Sequence, residues 1–202
     1  MTIYTLKPRF QAFLRPLAVG LLRAGVSANQ VTVAACAASV AVGAWVALQA
    51  PRTSAFLLLA AWMPLRMALN ALDGILARDF GQQTRLGAYL NELTDVVADA
   101  ALIAPFALLP SFSPVWTVIV IVLAALSEYA GSLGSSIGAS RRYDGPLGKS
   151  DRAFVFGVLA LWAGLAAPLP TWAEWVMPLI AAGLGWTIVN RVRGGLREGR
   201  HE

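Results

Sequence analysis

Four oxygen-bearing side chains stand at helical spacing in two neighbouring segments, and together they could bind a cation. Asn70 and Asp73 precede a short polar stretch. Asn91 and Asp95 follow it. In α-helices each pair lies on one face, because residues three or four positions apart are neighbours on the helix surface. Carboxylate and amide oxygens are the ligands that Mg²⁺, Mn²⁺ and Ca²⁺ prefer. The spacing therefore predicts a divalent-cation site between two helices; a polar seam that only joins the helices is the alternative.

The chain around these residues is apolar enough to lie in a membrane. Of its 202 residues 57% are hydrophobic and only 13% are charged, and the mean hydropathy is +0.63. Soluble domains carry about a quarter charged residues, so a soluble fold would leave this chain almost without a polar surface. We predict an all-α integral membrane protein with a single domain, residues 1–202, and six transmembrane helices, each near the ~20 residues that a span requires. The predicted spans are 28–49, 54–77, 87–109, 114–139, 153–168 and 171–190.

The basic residues predict the orientation of these spans. Apart from Arg52 and Arg66, every Lys and Arg lies in the N-terminal segment, in the loops after the second and fourth spans, or in the C-terminal tail. Cytoplasmic loops carry the excess of basic residues in membrane proteins. This alternation predicts an even number of spans, a multi-pass protein of the cell inner membrane, and both termini in the cytoplasm. We expect membrane lipids as partners and no nucleic acid.

The N-terminal segment, residues 5–24, is predicted to be an amphipathic interfacial helix rather than a span or a signal peptide. Its basic residues are spread along its length, so no uninterrupted apolar core precedes a cleavage site. Five apolar side chains fall on one helical face, which is typical of a helix in the headgroup region; a solvated basic tail is the alternative. They are Phe10, Phe13, Leu14, Leu17 and Leu21.

Three further charged residues lie deep within predicted spans. Arg66 lies about 18 Å below the cytoplasmic end of the second span, and Asp99 lies at the same depth on the third. Glu128 lies roughly 20 Å deep on the fourth. An unpaired charge at this depth costs at least about 2.5–3.5 kcal/mol on insertion scales. We therefore predict that Arg66 pairs with Asp99, with Glu128 nearby as a second or protonated partner.

A longer pattern surrounds the four oxygen-bearing residues. It runs Asn70-x2-Asp73-Gly74-x2-Ala77-Arg78-x8-Gly87-x3-Asn91-x3-Asp95. Without a gap, this spacing resembles the signature of the CDP-alcohol phosphotransferases, D-x-x-D-G-x-x-A-R-x8-G-x3-D-x3-D, which lies on the second and third of six spans. The start of the first predicted span, with Asn29 and Thr32, is similar to the small-Asn-x-x-Thr motif of the same family.

The resemblance implies a reaction and a role for each matching residue. A CDP-linked lipid, commonly CDP-diacylglycerol, would donate its phosphatidyl group to an alcohol acceptor, and CMP would leave. Mg²⁺ or Mn²⁺ would hold the diphosphate. The metal ligands would be Asp73, Asn70, Asn91 and Asp95. Asp95 would also be the catalytic residue that accepts the proton of the attacking hydroxyl. The CDP group would be bordered by Gly74, Ala77, Arg78, Gly87, Asn29 and Thr32.

Two positions depart from the family pattern, since Asn70 and Asn91 stand where the family has aspartate. An amide oxygen can bind a hard cation, but it carries no charge and bridges two cations less well than a carboxylate. The sequence is therefore compatible with one or two ions, and the second ion is the doubtful one. A degenerate family member, which binds a nucleotide-lipid or a partner without turnover, is the alternative function. A small transporter, with the intramembrane charges as its ion path, is a third.

Four basic residues cluster in the loop after the fourth span. They are Arg141, Arg142, Lys149 and Arg152. A pocket for the phosphate of the acceptor or the diphosphate of the donor is one interpretation. Ordinary cytoplasmic charge near anionic lipid is the other. The end of the fourth span carries small residues, which favour close helix packing, either within the chain or between the subunits of a homodimer; a groove for the lipid substrate is the alternative. They include Gly131, Gly134 and Gly138.

Overall fold

Seven α-helices account for most of the described residues in the computed structural model, which covers residues 6–166 and 168–198. These residues contain no β-strand. The helices are α1 Leu6–Arg23, α2 Ala28–Gln49, α3 Phe56–Asp79, α4 Arg85–Ile103, α5 Pro114–Leu133, α6 Lys149–Leu165 and α7 Val176–Glu198. Short 3₁₀ helices lie at Thr53–Ala55, Ala104–Leu108, Gly134–Ile137 and Thr171–Trp175. The all-α class predicted from the sequence is confirmed.

Four segments of the described chain are long and apolar enough to cross a membrane, by length and composition. They are Ala28–Gln49, Thr53–Asp79, Pro114–Ile137 and Thr171–Glu198. Two further predicted spans correspond to α4 and α6, which are shorter, at 19 and 17 residues. Both carry charged residues that form ion pairs inside the bundle, among them Asp99 and Arg152. The predicted count of six spans therefore depends on these two helices.

The last helix runs further than the sequence predicted. The sixth predicted span ends at residue 190, because the basic residues after it were assigned to a cytoplasmic tail. The helix instead continues to Glu198. Arg191 lies on its inner face and is 2% exposed, whereas Arg193 and Arg197 are exposed. One face of the helix therefore still packs against protein beyond the apolar stretch, which sustains the helix there.

The N-terminal amphipathic pattern corresponds to α1, which packs against α3. Leu14 and Ala18 are buried in this contact. Phe13 is 79% exposed, and Phe10 and Leu17 are also exposed. The protein thus covers only part of the apolar face of α1.

The central packing separates the two helices that carry the signature residues. Close backbone packing joins α2 to both α3 and α4, and α6 to α3. Gly43 of α2 makes the contact with α4 possible, because a Cβ at this position would overlap the carbonyl oxygen of Ala101. The pair α3 and α4 is not among the closely packed pairs. The sequence predicts a polar site or seam between these helices, and in the structure Arg66 of α3 reaches across to Asp95 and Asp99 of α4.

The small residues at the end of α5 accommodate the chain itself. A Cβ on Gly131 would lie 2.7 Å from the carbonyl oxygen of Arg142, and one on Gly134 would lie 2.6 Å from that of Ser140. The backbone N–H of Arg142 donates to the carbonyl oxygen of Gly131 at 3.0 Å. The loop after α5 therefore folds back onto the helix, and these small residues serve packing within the chain.

Candidate active site

The first turn of α2 positions a hydroxyl against Asp73. Ser27 caps the helix: its hydroxyl accepts from the Gln30 N–H at 3.2 Å, and Gln30 Oε1 accepts from the Ser27 N–H at 2.8 Å. This reciprocal arrangement is a capping box, which fixes the start of the helix. One turn further on, the Thr32 hydroxyl donates to Asp73 Oδ2 at 2.8 Å. Thr32 therefore orients a carboxylate that is 5% exposed.

Asn29 lies on the same turn, against the start of α4. Its Nδ2 donates to Thr84 Oγ1 at 3.3 Å. Thr84 is the N-cap of α4, and its hydroxyl accepts from the Gly87 N–H at 2.8 Å. A Cβ on Gly87 would lie 2.6 Å from Asn29 Oδ1, so glycine allows this close approach. The Ala28 N–H donates to Gln82 Oε1 at 2.7 Å, which ties the loop between α3 and α4 to the same turn.

The end of α3 presents a basic side chain beside a glycine. Arg78 is exposed, and its guanidinium lies over Gly74, where a Cβ would be 2.7 Å from Nη2. Ala77 is half-buried. The absence of a side chain at Gly74 therefore lets the Arg78 guanidinium lie directly against the backbone of α3.

Cations from two other helices hold Asp95, which is 6% exposed. Lys149, the first residue of α6, donates to Oδ2. Arg66 of α3 donates from Nη2 to the Asp95 carbonyl oxygen at 3.3 Å, and the same nitrogen lies 3.5 Å from Oδ1. Lys149 and Asp95 also lie within electrostatic range of Asp73. The two carboxylates of the signature therefore lie within electrostatic range of each other and of the Lys149 ammonium.

Arg66 also binds Asp99, one helical turn below Asp95. Its Nη1 donates to Asp99 Oδ1 at 2.5 Å, and both side chains are buried. Asp99 Oδ2 accepts from Arg152 Nε at 2.8 Å, and Arg152 Nη2 donates to Glu128 Oε1 at 2.9 Å. The second carboxylate near Arg66 is thus Asp95. Glu128, expected beside Arg66, is instead linked to it through Asp99 and Arg152, because Arg152 in the first turn of α6 turns into the bundle between them.

Glu128 has further basic partners that the sequence analysis did not assign. Arg191 Nη1 lies 3.4 Å from Oε1, and Arg141 Nη2 donates to Oε2 at 3.2 Å. Arg141 also binds Glu92, which accepts from the Ser132 hydroxyl at 3.1 Å. Glu92 therefore points toward α5 and does not supply the carboxylate that the signature lacks. The buried ion cluster comprises Arg66, Glu92, Asp95, Asp99, Glu128, Arg141, Lys149, Arg152 and Arg191.

The four basic residues of the loop after α5 do not form one phosphate pocket. Three of them bind acids of the buried ion cluster: Arg141, Lys149 and Arg152. The fourth, Arg142, turns away and pairs with Asp144 at 2.8 Å and with Glu198. Its hydrogen bonds to the Asp144 carboxylate raise the pKa of the guanidinium, which stays charged. Arg142 lines a separate polar pocket of about 710 Å³, together with Arg193 and Arg197.

An apolar groove of about 710 Å³ runs between α1, α3 and α6. Its lining includes Phe10, Met63, Met67, Phe154 and Val158. The groove reaches Ser150, which follows Lys149 at the start of α6. An apolar surface of this kind suits a hydrocarbon chain.

The oxygen-bearing side chains of the signature are the candidate ligands for a divalent cation. Within residues 6–166 and 168–198, no three His, Cys, Asp or Glu side chains form a group that could hold a metal ion. The donors are therefore two carboxylates, Asp73 and Asp95, and two amides, Asn70 and Asn91. Asn70 Nδ2 is buried and has no hydrogen-bond partner in the described chain, so the protein leaves this amide free to turn its oxygen to a cation.

The substitution Thr32→Val tests whether the orientation of Asp73 matters for cation binding. Valine keeps the shape of threonine and removes a hydrogen bond to a charged group, which is worth about 1.5–3 kcal/mol. We expect Mn²⁺ affinity to fall about tenfold in a titration followed by electron paramagnetic resonance. Thr117→Val is the matched control, because the Thr117 hydroxyl donates to the Ser113 carbonyl oxygen within α5. Unchanged Mn²⁺ affinity in Thr32→Val would show that Thr32 does not position Asp73.

Comparison with known proteins establishes the family to which this helical membrane protein belongs. The model of the CDP-alcohol phosphatidyltransferase family matches residues 25–187, and the chain belongs to this family. Inner membrane protein YnbA of Escherichia coli (strain K12) is 44% identical over 199 residues, which are 97% of each chain. A phosphatidylinositol phosphate synthase of Streptomyces avermitilis is 30% identical over 91% of this chain and 78% of its own.

Solved structures of phosphatidylinositol phosphate synthase from Mycobacterium tuberculosis share the fold. Its complex with manganese and citrate has a TM-score of 0.74 at 25% identity, over 90% of this chain and 88% of that one. Its complex with CDP-DAG has a TM-score of 0.72 at 26% identity, over 89% and 92% of the two chains. The likeness therefore extends over nearly the whole chain.

Proposed function

We propose that this protein transfers the phosphatidyl group of a CDP-linked lipid, such as CDP-diacylglycerol, to an alcohol acceptor and releases CMP, in phospholipid biosynthesis. The observation that carries the proposal is that Asp73 and Asp95, at the signature spacing, lie within electrostatic range of each other, with the Lys149 ammonium hydrogen-bonded to Asp95. The relatives support it, since both synthases named above make a phosphatidyl lipid and one solved structure contains CDP-DAG.

In the proposed reaction, the alcohol oxygen forms a bond to the phosphorus that carries the lipid. The bond between that phosphorus and the bridging oxygen of the diphosphate breaks, and CMP leaves with the oxygen. Asp95 accepts the proton of the alcohol as general base. Asp73, in the orientation set by Thr32, would bind the divalent ion, and Asn70 and Asn91 would be its neutral ligands. A bound Mg²⁺ or Mn²⁺ would offset the charge of the diphosphate, and the manganese complex of the solved neighbour supports this requirement.

The donor would lie across the surface formed by the end of α3 and the starts of α2 and α4. The CDP group would rest against Gly74, Ala77, Arg78, Gly87, Asn29 and Thr32. The exposed Arg78 guanidinium can donate hydrogen bonds to phosphate oxygens. A hydrocarbon chain of the lipid would occupy the apolar groove between α1, α3 and α6.

We further propose that α4 and α6 also cross the membrane, which gives six spans with both termini in the cytoplasm and α1 at the interface. The charged residues of these helices are paired within the bundle, as an apolar surrounding requires. Their exposed surface is apolar, including Leu93 and Val97 on α4 and Phe154 and Val158 on α6. The inner membrane is the proposed location, as in the name of the Escherichia coli relative.

Purified protein, supplied with CDP-diacylglycerol, Mg²⁺ or Mn²⁺ and a panel of alcohols, tests the proposal. The panel includes glycerol 3-phosphate, serine and inositol phosphate. We expect CMP release that requires both the divalent ion and one alcohol, with the phospholipid product seen by mass spectrometry. Binding of CDP-diacylglycerol without CMP release for any alcohol would identify the degenerate family member instead, the alternative that the amides Asn70 and Asn91 favour.

A further inference from the structure

The side chains at the site are charge-balanced without a divalent ion. Five carboxylates are present in the buried ion cluster and beside it: Asp73, Glu92, Asp95, Asp99 and Glu128. Five cationic side chains contact these acids or lie within electrostatic range of them: Arg66, Arg141, Lys149, Arg152 and Arg191. The diphosphate of a CDP-linked lipid brings two negative charges. One divalent ion therefore restores neutrality when the donor binds, and a second would leave an excess of positive charge in a poorly solvated place.

The two amides of the signature account for this balance. Carboxylates at positions 70 and 91 would add two negative charges, the amount that one divalent ion neutralises. Asn70 and Asn91 remove that charge and leave no third or fourth carboxylate to bridge a pair of ions. The loss of two carboxylates and the loss of one divalent ion therefore offset each other in charge.

The Lys149 ammonium occupies the position on Asp95 at which a second divalent ion would bind. Its ammonium donates to Asp95 Oδ2, an oxygen that a second ion would need. The lysine begins α6, and that start is fixed because the Gly148 N–H donates to Asp151 Oδ2 at 3.0 Å. The Lys149 side chain is 23% exposed, whereas Arg66, the other cation on Asp95, is 2% exposed. Lys149 is therefore the cation that an incoming phosphate can reach, and its remaining N–H groups are available as donors.

We propose that the Lys149 ammonium takes the place of a second divalent ion: the site binds one ion, and Lys149 supplies the other positive charge beside the donor diphosphate. The proposal rests on the proposed transferase function for the identity of the diphosphate. An ammonium is a compact point charge with three donors, which suits this position between carboxylate and phosphate.

Counting bound Mn²⁺ by electron paramagnetic resonance tests the proposal on purified protein with CDP-diacylglycerol and without an alcohol, so that the donor is bound and no transfer follows. The unaltered chain should bind one Mn²⁺. Asn70→Asp/Asn91→Asp should bind one Mn²⁺ tightly and a second weakly, because Lys149 competes for Asp95. Adding Lys149→Met to this pair should raise the affinity for the second Mn²⁺ at least about tenfold. Adding Arg193→Met instead is the matched control, since Arg193 is an exposed cation on α7, and it should leave both affinities unchanged.

Two Mn²⁺ ions on the unaltered protein, or none, would overturn the proposal, and this measurement needs no variant to fold. Equal affinity for the second Mn²⁺ with and without Lys149 in the doubly substituted background would also overturn it. CMP release is measured separately. One bound Mn²⁺ without CMP release for any alcohol would refute the proposed transfer and leave the ion count intact. CMP release with two bound Mn²⁺ would refute the replacement by Lys149 and leave the transfer intact.

Discussion

Asp95→Asn is expected to abolish phosphatidyl transfer, with CMP release lowered by about 10²–10⁴-fold, the usual contribution of a general base. The amide is nearly isosteric, but it cannot accept the proton of the attacking alcohol, and it removes one of the two charged ligands of the proposed divalent ion. CMP release from CDP-diacylglycerol, measured with the alcohol that supports turnover, is the readout. Elution and thermal stability in detergent report whether the variant is folded.

Glu174→Gln is a suitable control for that experiment. Glu174 is an exposed acid in the 3₁₀ helix before α7, outside the buried ion cluster, so its neutralisation should leave CMP release unchanged. Folded Asp95→Asn that keeps more than a tenth of the unaltered rate would contradict the role of Asp95 as base. The same variant should still bind CDP-diacylglycerol, because the proposed CDP-binding residues lie on α2, α3 and the first turn of α4.

Local spacing made much of the site predictable from the sequence. Thr32 and Asn29 were selected by their likeness to a family motif, and the structure places Thr32 on Asp73 and Asn29 against Gly87. The motif selects these residues, but both contacts join different helices and depend on the packing of α2 against α3 and α4. The pairing of Arg66 with Asp99 could be predicted from the equal depth of the two residues on their helices and from the cost of an unpaired charge in a membrane.

The inward-turning basic residues could not be predicted in the same way. The rule that basic residues mark cytoplasmic loops counts charges by segment and carries no information about the direction of a side chain. Arg152 and Arg191 satisfy that rule, yet both are 2% exposed and bind acids within the bundle. Their long apolar stems allow a residue at the end of a helix to place its charge well inside the protein. Only the packing of α5, α6 and α7 decides which arginines do so.

The separation of α3 from α4 also depended on tertiary packing. Helical spacing places Asp73 and Asp95 on definite faces, but it does not say how far apart the helices lie. The packing of α2 against both helices contributes to that distance, and α6, which packs against α3, reaches α4 through its side chains. The packing of α6 also brings Lys149, which is 54 residues from Asp95 in the chain, onto the carboxylate. The site is therefore assembled from four helices, and the signature covers only two of them.

The buried ion cluster should be the main determinant of stability at this end of the bundle, and Arg66→Met tests that role. Methionine preserves most of the side-chain volume and removes the partner of Asp99 Oδ1 and of the Asp95 carbonyl oxygen. Breaking a buried pair by removing one partner costs about 3–5 kcal/mol, because an unpaired charge stays behind. For a chain of this size, the Tm in detergent should fall by roughly 10 °C, at about 2–4 °C per kcal/mol.

Arg193→Met and a double variant complete the test of Arg66. Arg193 is exposed on α7, so its loss should change the Tm by less than about 2 °C, as surface substitutions generally do. Arg66→Met/Asp99→Asn removes both charges of the pair, and Arg152 retains Glu128 as its partner. The double variant should therefore be more stable than Arg66→Met alone, since the stranded negative charge is gone. A Tm for Arg66→Met that matches the unaltered protein would show that the pair with Asp99 does not stabilise the bundle.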